Sequence, residues 1–269
     1  MRDFREIPAG DCRRVKYILH DIDDTITDGG KLGEAAYSAL WKLFRAGIKV
    51  IPATGRPAGW CDLIVREWPV FAVIGENGAF VNYFEYGKLR EFLHPSVAQE
   101  EETRRKLEEV QAACLKAVPG CRGAKDQFSR RFDLAIDFGE DEPKLGFAAA
   151  ERIRDVCLGF GAEAKISSIH VNAWFGHYDK LSMARLFLGD ICGEENIRDS
   201  VIFFGDSPND EPMFYFFPKS CGVANIRDFE GKIKALPAYI IGKRGGEGFA
   251  EAVDILLEKR YSQKFQQLI

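Results

Sequence analysis

Three short stretches of this 269-residue chain gather carboxylates, hydroxyls and glycine just past apolar runs. The first is His20-Asp21-Ile22-Asp23-Asp24-Thr25, which follows the apolar stretch Val15–Leu19. Two carboxylates two residues apart, beside a buried strand, are costly to hold together unless a cation or a reaction uses them. The second is Ala53-Thr54-Gly55-Arg56, a hydroxyl followed by a glycine whose backbone N–H can approach an anion closely. The third, Gly205-Asp206-Ser207-Pro208-Asn209-Asp210, adds two carboxylates in a loop. Lys180 stands at the start of a helix, ahead of the strand that Ser200 opens. Asp and Asn are common in turns and helix caps, so any one cluster alone says little. All of them, in this order and each after a β-run, point to one shared site.

The chemistry such residues can do is phosphoryl transfer. A carboxylate with the ordinary pKa of about 3.9 is ionised at pH 7 and can attack phosphorus, forming an acyl phosphate. The attacking charge and the phosphate dianion repel, so a divalent cation and a lysine are needed. Mg²⁺ suits an all-oxygen site of one or two carboxylates, waters and a phosphate oxygen. Lys180 would neutralise the attacking carboxylate and the transferring oxygens, while Thr54 and the Gly55 amide hold the phosphate in line. A second carboxylate must protonate the leaving alkoxide and then activate water.

The elements that carry these residues alternate. Val15–Leu19 reads as a buried strand, Glu34–Ala46 as a helix closed by Gly47, and Ile48–Ala53 as a second strand. A helix over 59–67 and a strand over 71–74 follow, so the segment predicts a parallel sheet with helical crossovers. A Gly29-Gly30 turn separates the first strand from its helix. The alternation returns in a helix at 181–188, strands at 200–204, 221–223 and 239–241, and a closing helix over 248–258. The middle differs: a charged helix within 95–118, a half-buried strand over 132–138, a helix over 143–158 and a strand over 165–174 predict a separate α+β unit. In open parallel sheets ligands bind beyond the carboxyl ends of the strands, which is where the acidic clusters fall.

Composition narrows the class. Hydrophobic residues make up 46% and charged residues 29%, which excludes wholesale disorder. A net charge of -4 argues against nucleic acid or an anionic membrane as the main partner, yet allows a small anion at a local positive site. Seven scattered cysteines without C-x-x-C read as reduced, buried thiols. No apolar run approaches a membrane span or a signal segment, so a soluble cytoplasmic protein is expected, its oligomeric state left open.

Asp21-Ile22-Asp23-Asp24-Thr25, Thr54-Gly55-Arg56, Lys180 and Gly205–Asp210 resemble the four motifs of the haloacid dehalogenase-like superfamily. Glu76-Asn77-Gly78-Ala79 is similar to the turn after the third core strand in Cof-type sugar phosphatases and the trehalose- and sucrose-phosphate phosphatases. The 33 residues from Asp21 to Thr54 leave no room for a cap domain, whereas the 126 from Thr54 to Lys180 do. The resemblance thus implies an α/β fold: a Rossmann-like parallel-sheet core (1–93 and 177–269) with an inserted α+β, C2-type cap (94–176), the type IIB arrangement. It implies Asp21 as nucleophile, Asp23 as acid/base, and Thr54 and Lys180 as their catalytic partners. Metal ligation would fall to Asp21, the Asp23 carbonyl and Asp206, with Asp210 in support. Gly55, Asn77 and Asn209 would contact substrate; Arg56 would either do so or form a salt bridge on the following helix. Asp24 reads as a structural turn residue and His20 as a hydrogen-bonded strand end.

The activity implied is Mg²⁺-dependent hydrolysis of a small phosphorylated metabolite, a sugar phosphate above all, through an aspartyl phosphate. The alternatives are a phosphomutase on the same scaffold and a non-catalytic phosphometabolite-binding protein. Specificity is expected from the cap. Alternation in Ser168–Trp174 turns Ile169, Val171 and Ala173 to the cap helices and Ser168, His170, Asn172 and Trp174 to the opposite face. Arg131 and Asp133 fall on the polar side of the neighbouring strand, with Arg130 close by. This face reads as a lid over substrate, or else as a wet sheet surface or an oligomer contact through Trp174.

Overall fold

The computed structural model describes residues 1–167 and 169–262. Strand β1 (Arg2–Asp3) and helix α1 (Ala9–Arg14) precede strand β2 (Tyr17–His20), the hairpin β3 (Thr27–Asp28) and β4 (Lys31–Leu32), helix α2 (Glu34–Arg45) and strand β5 (Lys49–Pro52). Helix α3 (Ala58–Glu67), strand β6 (Ala72–Gly75) and the hairpin β7 (Phe80–Glu85) and β8 (Lys88–Leu93) come next. The middle comprises α4 (Glu100–Ala117), β9 (Arg122–Gly123), β10 (Asp133–Asp137), α5 (Phe147–Gly159), β11 (Glu163–Ile166) and β12 (His170–Trp174). The chain returns with α6 (Lys180–Leu186), α7 (Ile197–Ser200), β13 (Val201–Gly205), α8 (Glu211–Phe216), β14 (Cys221–Gly222), β15 (Tyr239–Ile240) and α9 (Gly245–Tyr261).

The fold is α/β. A parallel sheet runs β1-β15-β14-β13-β2-β5, and β6 lies alongside β5 through the Ala53–Ile74 bridge. Every residue of β2 and β13 is buried because helices cover both faces, which is why these strands read as unbroken apolar runs. Alternate residues feed two cores. Ile18, Val50, Ile202 and Phe204 pack with Leu40 and Leu43 of α2 and Phe249, Val253 and Leu256 of α9. Leu19, Ile51, Val201 and Phe203 pack with Met183 of α6, with Met213 and Phe214 of α8, and with Phe217 just beyond it. Each such side chain contributes about 1.5–3 kcal/mol by leaving water. Gly47, at φ 71°, ends α2: the Ile48 N–H then turns back to the Leu43 carbonyl at 3.0 Å.

The inserted unit has its own core. Its sheet runs β11-β12-β10-β9, and Leu134, Ile136, Val171 and Ala173 meet Leu107, Val110 and Cys114 of α4 and Ile153 and Cys157 of α5. Two expectations change here. The single strand over 165–174 is a hairpin, β11 and β12, broken where the Ser167 N–H donates to the His170 carbonyl at 2.8 Å. Ser168, expected on the polar face, lies outside the described residues. Strand β10 is buried on both faces instead of one, because the polar side of the sheet rests on the core.

The contact between the units runs through the turn after β6. Glu76, Asn77 and Gly78 all have positive φ (42°, 59° and 111°), a run that holds only where its surroundings fix it. Gly78 sits against the start of α6, so close that a Cβ would lie 2.3 Å from the Asp179 carbonyl oxygen. Asp179 caps α6, accepting from the Ser182 N–H at 2.7 Å while its own N–H donates to the Ser182 hydroxyl at 2.9 Å. The turn thereby sets the position of Lys180, the first residue of α6. Gly78→Ala is expected to cost about 2–4 kcal/mol from strain and collision. Thermal unfolding should show a melting temperature several degrees lower; an unchanged one would mean that the turn does not press on α6.

Candidate active site

Asp21, Thr54 and Asp206 each stand one or two residues beyond the carboxyl ends of three adjacent parallel strands, β2, β5 and β13. The Asp21 N–H donates to the Phe204 carbonyl at 3.0 Å, which ties the two acidic strand ends together. Lys180 reaches in from α6. Its ammonium lies 2.9 Å from Asp21 Oδ2 and 3.1 Å from Asp210 Oδ1, and all three side chains are buried. The second Asp210 oxygen accepts from the Asp206 N–H at 3.1 Å, so Asp210 fixes both the lysine and the loop. The Thr25 hydroxyl donates to Asp206 Oδ1 at 2.7 Å.

Carboxylate oxygens of Asp21, Asp206 and Asp210 lie within 4.8 Å of one another. One ammonium among three buried carboxylates leaves the cluster short of positive charge. Burial, helped by Asp210 and Asp23 and opposed by Lys180, raises Asp21 to about 7. Burial, then Asp210 and Asp21, raises Asp206 to about 9. Burial would lower Lys180, but Asp21 and Asp210 outweigh it and keep the ammonium above its usual range. An all-oxygen set held this close, with Asp21 and Asp206 disfavoured as anions, fits a hard divalent cation, which would make their ionisation favourable again.

Thr54 is fully buried, and its hydroxyl accepts from the Arg56 N–H at 3.1 Å, which leaves the hydroxyl proton to point elsewhere. Gly55 packs under two asparagines: a Cβ there would lie 3.1 Å from Asn77 Oδ1 and 3.5 Å from Asn172 Nδ2. The structure therefore brings Asn77 and the cap's Asn172 to the Thr54-Gly55 loop. Asp23 is half exposed and pairs with Arg56 at 2.7 Å, while the guanidinium lies over the Trp60 ring at 4.9 Å. Arg56 thus has a salt bridge, but back to the first motif and not along its own helix. Asn209 accepts from the Ser207 hydroxyl at 2.9 Å within its loop. Asp24 has φ 58°, and its carbonyl accepts from the Asn225 side chain at 2.8 Å, as fits a turn residue. His20 is buried, with Nδ1 2.7 Å from the Asp21 carbonyl, and burial lowers its pKa to about 4.

Two expectations for the cap face need correction, at Arg131 and Trp174. Arg131 precedes β10 and turns away from the Thr54-Gly55 loop, held by Glu91 and by Glu100 at 3.0 Å. Arg130 faces that loop instead, donating to the Gly55 carbonyl at 3.0 Å and to Asp133 at 2.9 Å. Trp174 is buried, stacks on Tyr178 with centroids 5.8 Å apart and donates to the Tyr178 carbonyl, so it is neither a lid ring nor an oligomer contact. His170 shares the face of Asn172 but lies farther out, 3.0 Å from Glu140.

Thr25, Arg130 and, above all, Glu76 were named in the sequence analysis without a role of their own. The Glu76 carboxylate accepts the Ala58 N–H of α3 at 2.9 Å and the N–H groups of Arg131, Phe132 and Asp133 in the cap at 3.0, 2.6 and 3.2 Å. Burial, then Asp133, pushes its pKa up to about 8, against the pull of the Phe132 and Arg131 N–H groups. Asn77 adds a bond across the same junction, donating to Asp133 at 3.1 Å. The available signal was a glutamate directly after the apolar run 71–75. Among the described residues no helix is long and apolar enough to cross a membrane.

Residues 18–111 match the family model of haloacid dehalogenase-like hydrolases. A phosphoglycolate phosphatase of Pyrobaculum neutrophilum is 29% identical over 249 residues, 90% of this chain and 96% of that protein. Among solved structures, a Thermoplasma acidophilum protein superposes with a TM-score of 0.70 at 20% identity, covering 90% of this chain and 98% of that one. A sugar phosphatase of haloacid dehalogenase subclass IIB gives 0.63 at 14% identity, covering 92% and 99%. At such identities the two structures speak for the fold alone. Taken with the family match over residues 18–111 and the relative that aligns along nearly its whole length, they make the chain similar to the haloacid dehalogenase-like hydrolases, phosphatases among them.

Proposed function

We propose that the protein is a Mg²⁺-dependent phosphomonoesterase that hydrolyses a small phosphorylated metabolite, a sugar phosphate or a comparable short ester, through an aspartyl phosphate on Asp21. The observation that carries this reading is the buried Lys180 bridging Asp21 and Asp210 beside Asp206, at the ends of adjacent strands. The full-length relative is named for phosphoglycolate and the subclass IIB neighbour for sugar, so both act on small phosphate esters.

In this account Asp21 attacks phosphorus, its O–P bond forming as the ester O–P bond breaks. Lys180 stays charged and screens the carboxylate from the incoming dianion. Thr54 and the Gly55 N–H hold the phosphate in line, since the Arg56 N–H already occupies one lone pair of the hydroxyl. Asp23, half exposed and paired with Arg56, gives its proton to the leaving alkoxide. It then takes a proton from water, whose oxygen displaces Asp21 from phosphorus and releases phosphate and the free carboxylate. Asp21, the Asp23 carbonyl and Asp206 would hold the cation, with Asp210 steadying Asp206 and Lys180. When bound, Mg²⁺ supplies the positive charge that the carboxylate cluster lacks.

Asp21→Asn should lower turnover on the order of a thousandfold or more while the fold persists, because an amide keeps the shape but cannot form the acyl phosphate. Steady-state assays on a panel of phosphate esters, with deamidation checked by mass spectrometry, decide this; retention of more than a few per cent of activity would remove Asp21 from the role. Chelation should abolish activity and Mg²⁺ restore it. Asp206→Ala should raise the Mg²⁺ concentration for half-maximal rate by at least about tenfold, by loss of a direct ligand. Full activity in chelator would count against the metal assignment.

A further inference from the structure

One hydrogen bond of the phosphate loop comes from the cap. Of the three carbonyls in Thr54-Gly55-Arg56, two are held within the core: Thr54 accepts from the Asn77 N–H at 3.0 Å and Arg56 from the Glu76 N–H at 3.2 Å. The Gly55 carbonyl accepts from Arg130 Nη1 at 3.0 Å, across the junction between the two units. The Thr54 N–H donates to the Ile74 carbonyl at 2.9 Å, and the Arg56 N–H to the Thr54 hydroxyl at 3.1 Å. Among the described residues, the Gly55 N–H and the Thr54 hydroxyl proton are the loop's backbone and hydroxyl donors without such a bond. These are the two donors that an incoming phosphate needs. Arg130 itself is rigidly placed. Its side chain is 3% exposed, with Asp133 2.9 Å from Nη1 and Asp126 3.3 Å from Nε.

We propose that Arg130 is a positioning residue for the phosphate: from the cap it holds the Gly55–Arg56 peptide so that Thr54 and the Gly55 N–H keep their protons for the substrate. This rests on the phosphatase reading above. Glycine places little restraint of its own on that peptide. Turned over, the peptide would carry the Gly55 carbonyl to where the Arg56 N–H now meets Thr54. The hydroxyl would then donate to that carbonyl and lose the proton it offers to phosphate. A buried guanidinium opposes this turn with a charge-assisted hydrogen bond, in a place where water does not compete. Part of the order of the phosphate loop thus comes from the inserted unit. The cap therefore serves the phosphoryl step for every ester, whatever the leaving group.

The test follows hydrolysis of para-nitrophenyl phosphate and of phosphoglycolate, and calorimetric binding of inorganic phosphate, all with the full-length protein and Mg²⁺. Arg130→Met should lower kcat on both esters by the same factor, about 10- to 100-fold, the scale of one charge-assisted hydrogen bond. It should weaken the Kd for inorganic phosphate by about tenfold. Arg130→Lys should regain at least about threefold in kcat over the methionine variant, because an ammonium can still reach the carbonyl. Asp126→Asn loosens the cap but leaves the Gly55 contact, and should stay within about threefold of the wild type. If Arg130→Met does not fold because Asp133 is stranded, Arg130→Met combined with Asp133→Asn reads the same quantities. Phosphate binding that depends on Arg130, in a protein that hydrolyses no ester, would sink the phosphatase reading and leave the loop claim standing. Unchanged kcat and phosphate affinity without the guanidinium, a loss confined to one ester, or an equal loss in Asp126→Asn would overturn the proposal.

Discussion

The site depends on one buried ammonium shared by two carboxylates. Lys180 sits 2.9 Å from Asp21 and 3.1 Å from Asp210, with Asp206 close by, and none of these groups reaches solvent freely. Breaking a buried pair by removing one partner strands a charge, so the arrangement holds only if every member is delivered accurately. Parallel strands β2 and β13 deliver the aspartates, which is why their apolar runs end so abruptly in charge. The capped start of α6 delivers the lysine, and the Gly78 turn holds that start in place. The upward shifts of Asp21 and Asp206 express a shortage of positive charge that a divalent cation would correct.

The cap is joined to this centre by buried polar groups and not by an apolar seam alone. Glu76 receives backbone N–H groups from both sides of the junction, and Arg130 and Asn77 converge on Asp133 beside it. A carboxylate that accepts four N–H groups has defined geometry, so it fixes the height of β10 over the Thr54-Gly55 loop. That height brings Asn172 against Gly55. The cap and the Thr54-Gly55 loop thus share one set of contacts.

Much of this was legible in the sequence because it rests on short-range rules. Apolar runs ending in Asp21, Thr54 and Asp206 mark strand ends, and the 126 residues between Thr54 and Lys180 mark the insertion. Even the aspartate at position 24 makes sense, since a short polar side chain tolerates the left-handed backbone found there. What escaped depends on tertiary contact. Strand periodicity could not say that β10 would be covered on its polar side, nor that Arg131, just before the strand, would swing to Glu91 and Glu100 while Arg130 faced Gly55. Trp174 fitted the alternation but is sealed in by Tyr178. The hairpin β7–β8 turns on Tyr86-Gly87, where Tyr86 takes positive φ at 49°, a conformation its residue type does not announce. Thr25 and Glu76 are ordinary polar residues until the fold brings Asp206 to the one and the cap strand to the other.

The most direct measurement of the central claim is chemical trapping of the enzyme during turnover. Borohydride added while a good phosphate ester is being hydrolysed reduces an aspartyl phosphate to homoserine, which peptide mass spectrometry locates. The account predicts this conversion at the position of Asp21, dependent on substrate and on Mg²⁺. Trapping at another carboxylate, or steady hydrolysis with Asp21 left unmodified under conditions that trap a known acyl phosphate, would contradict it.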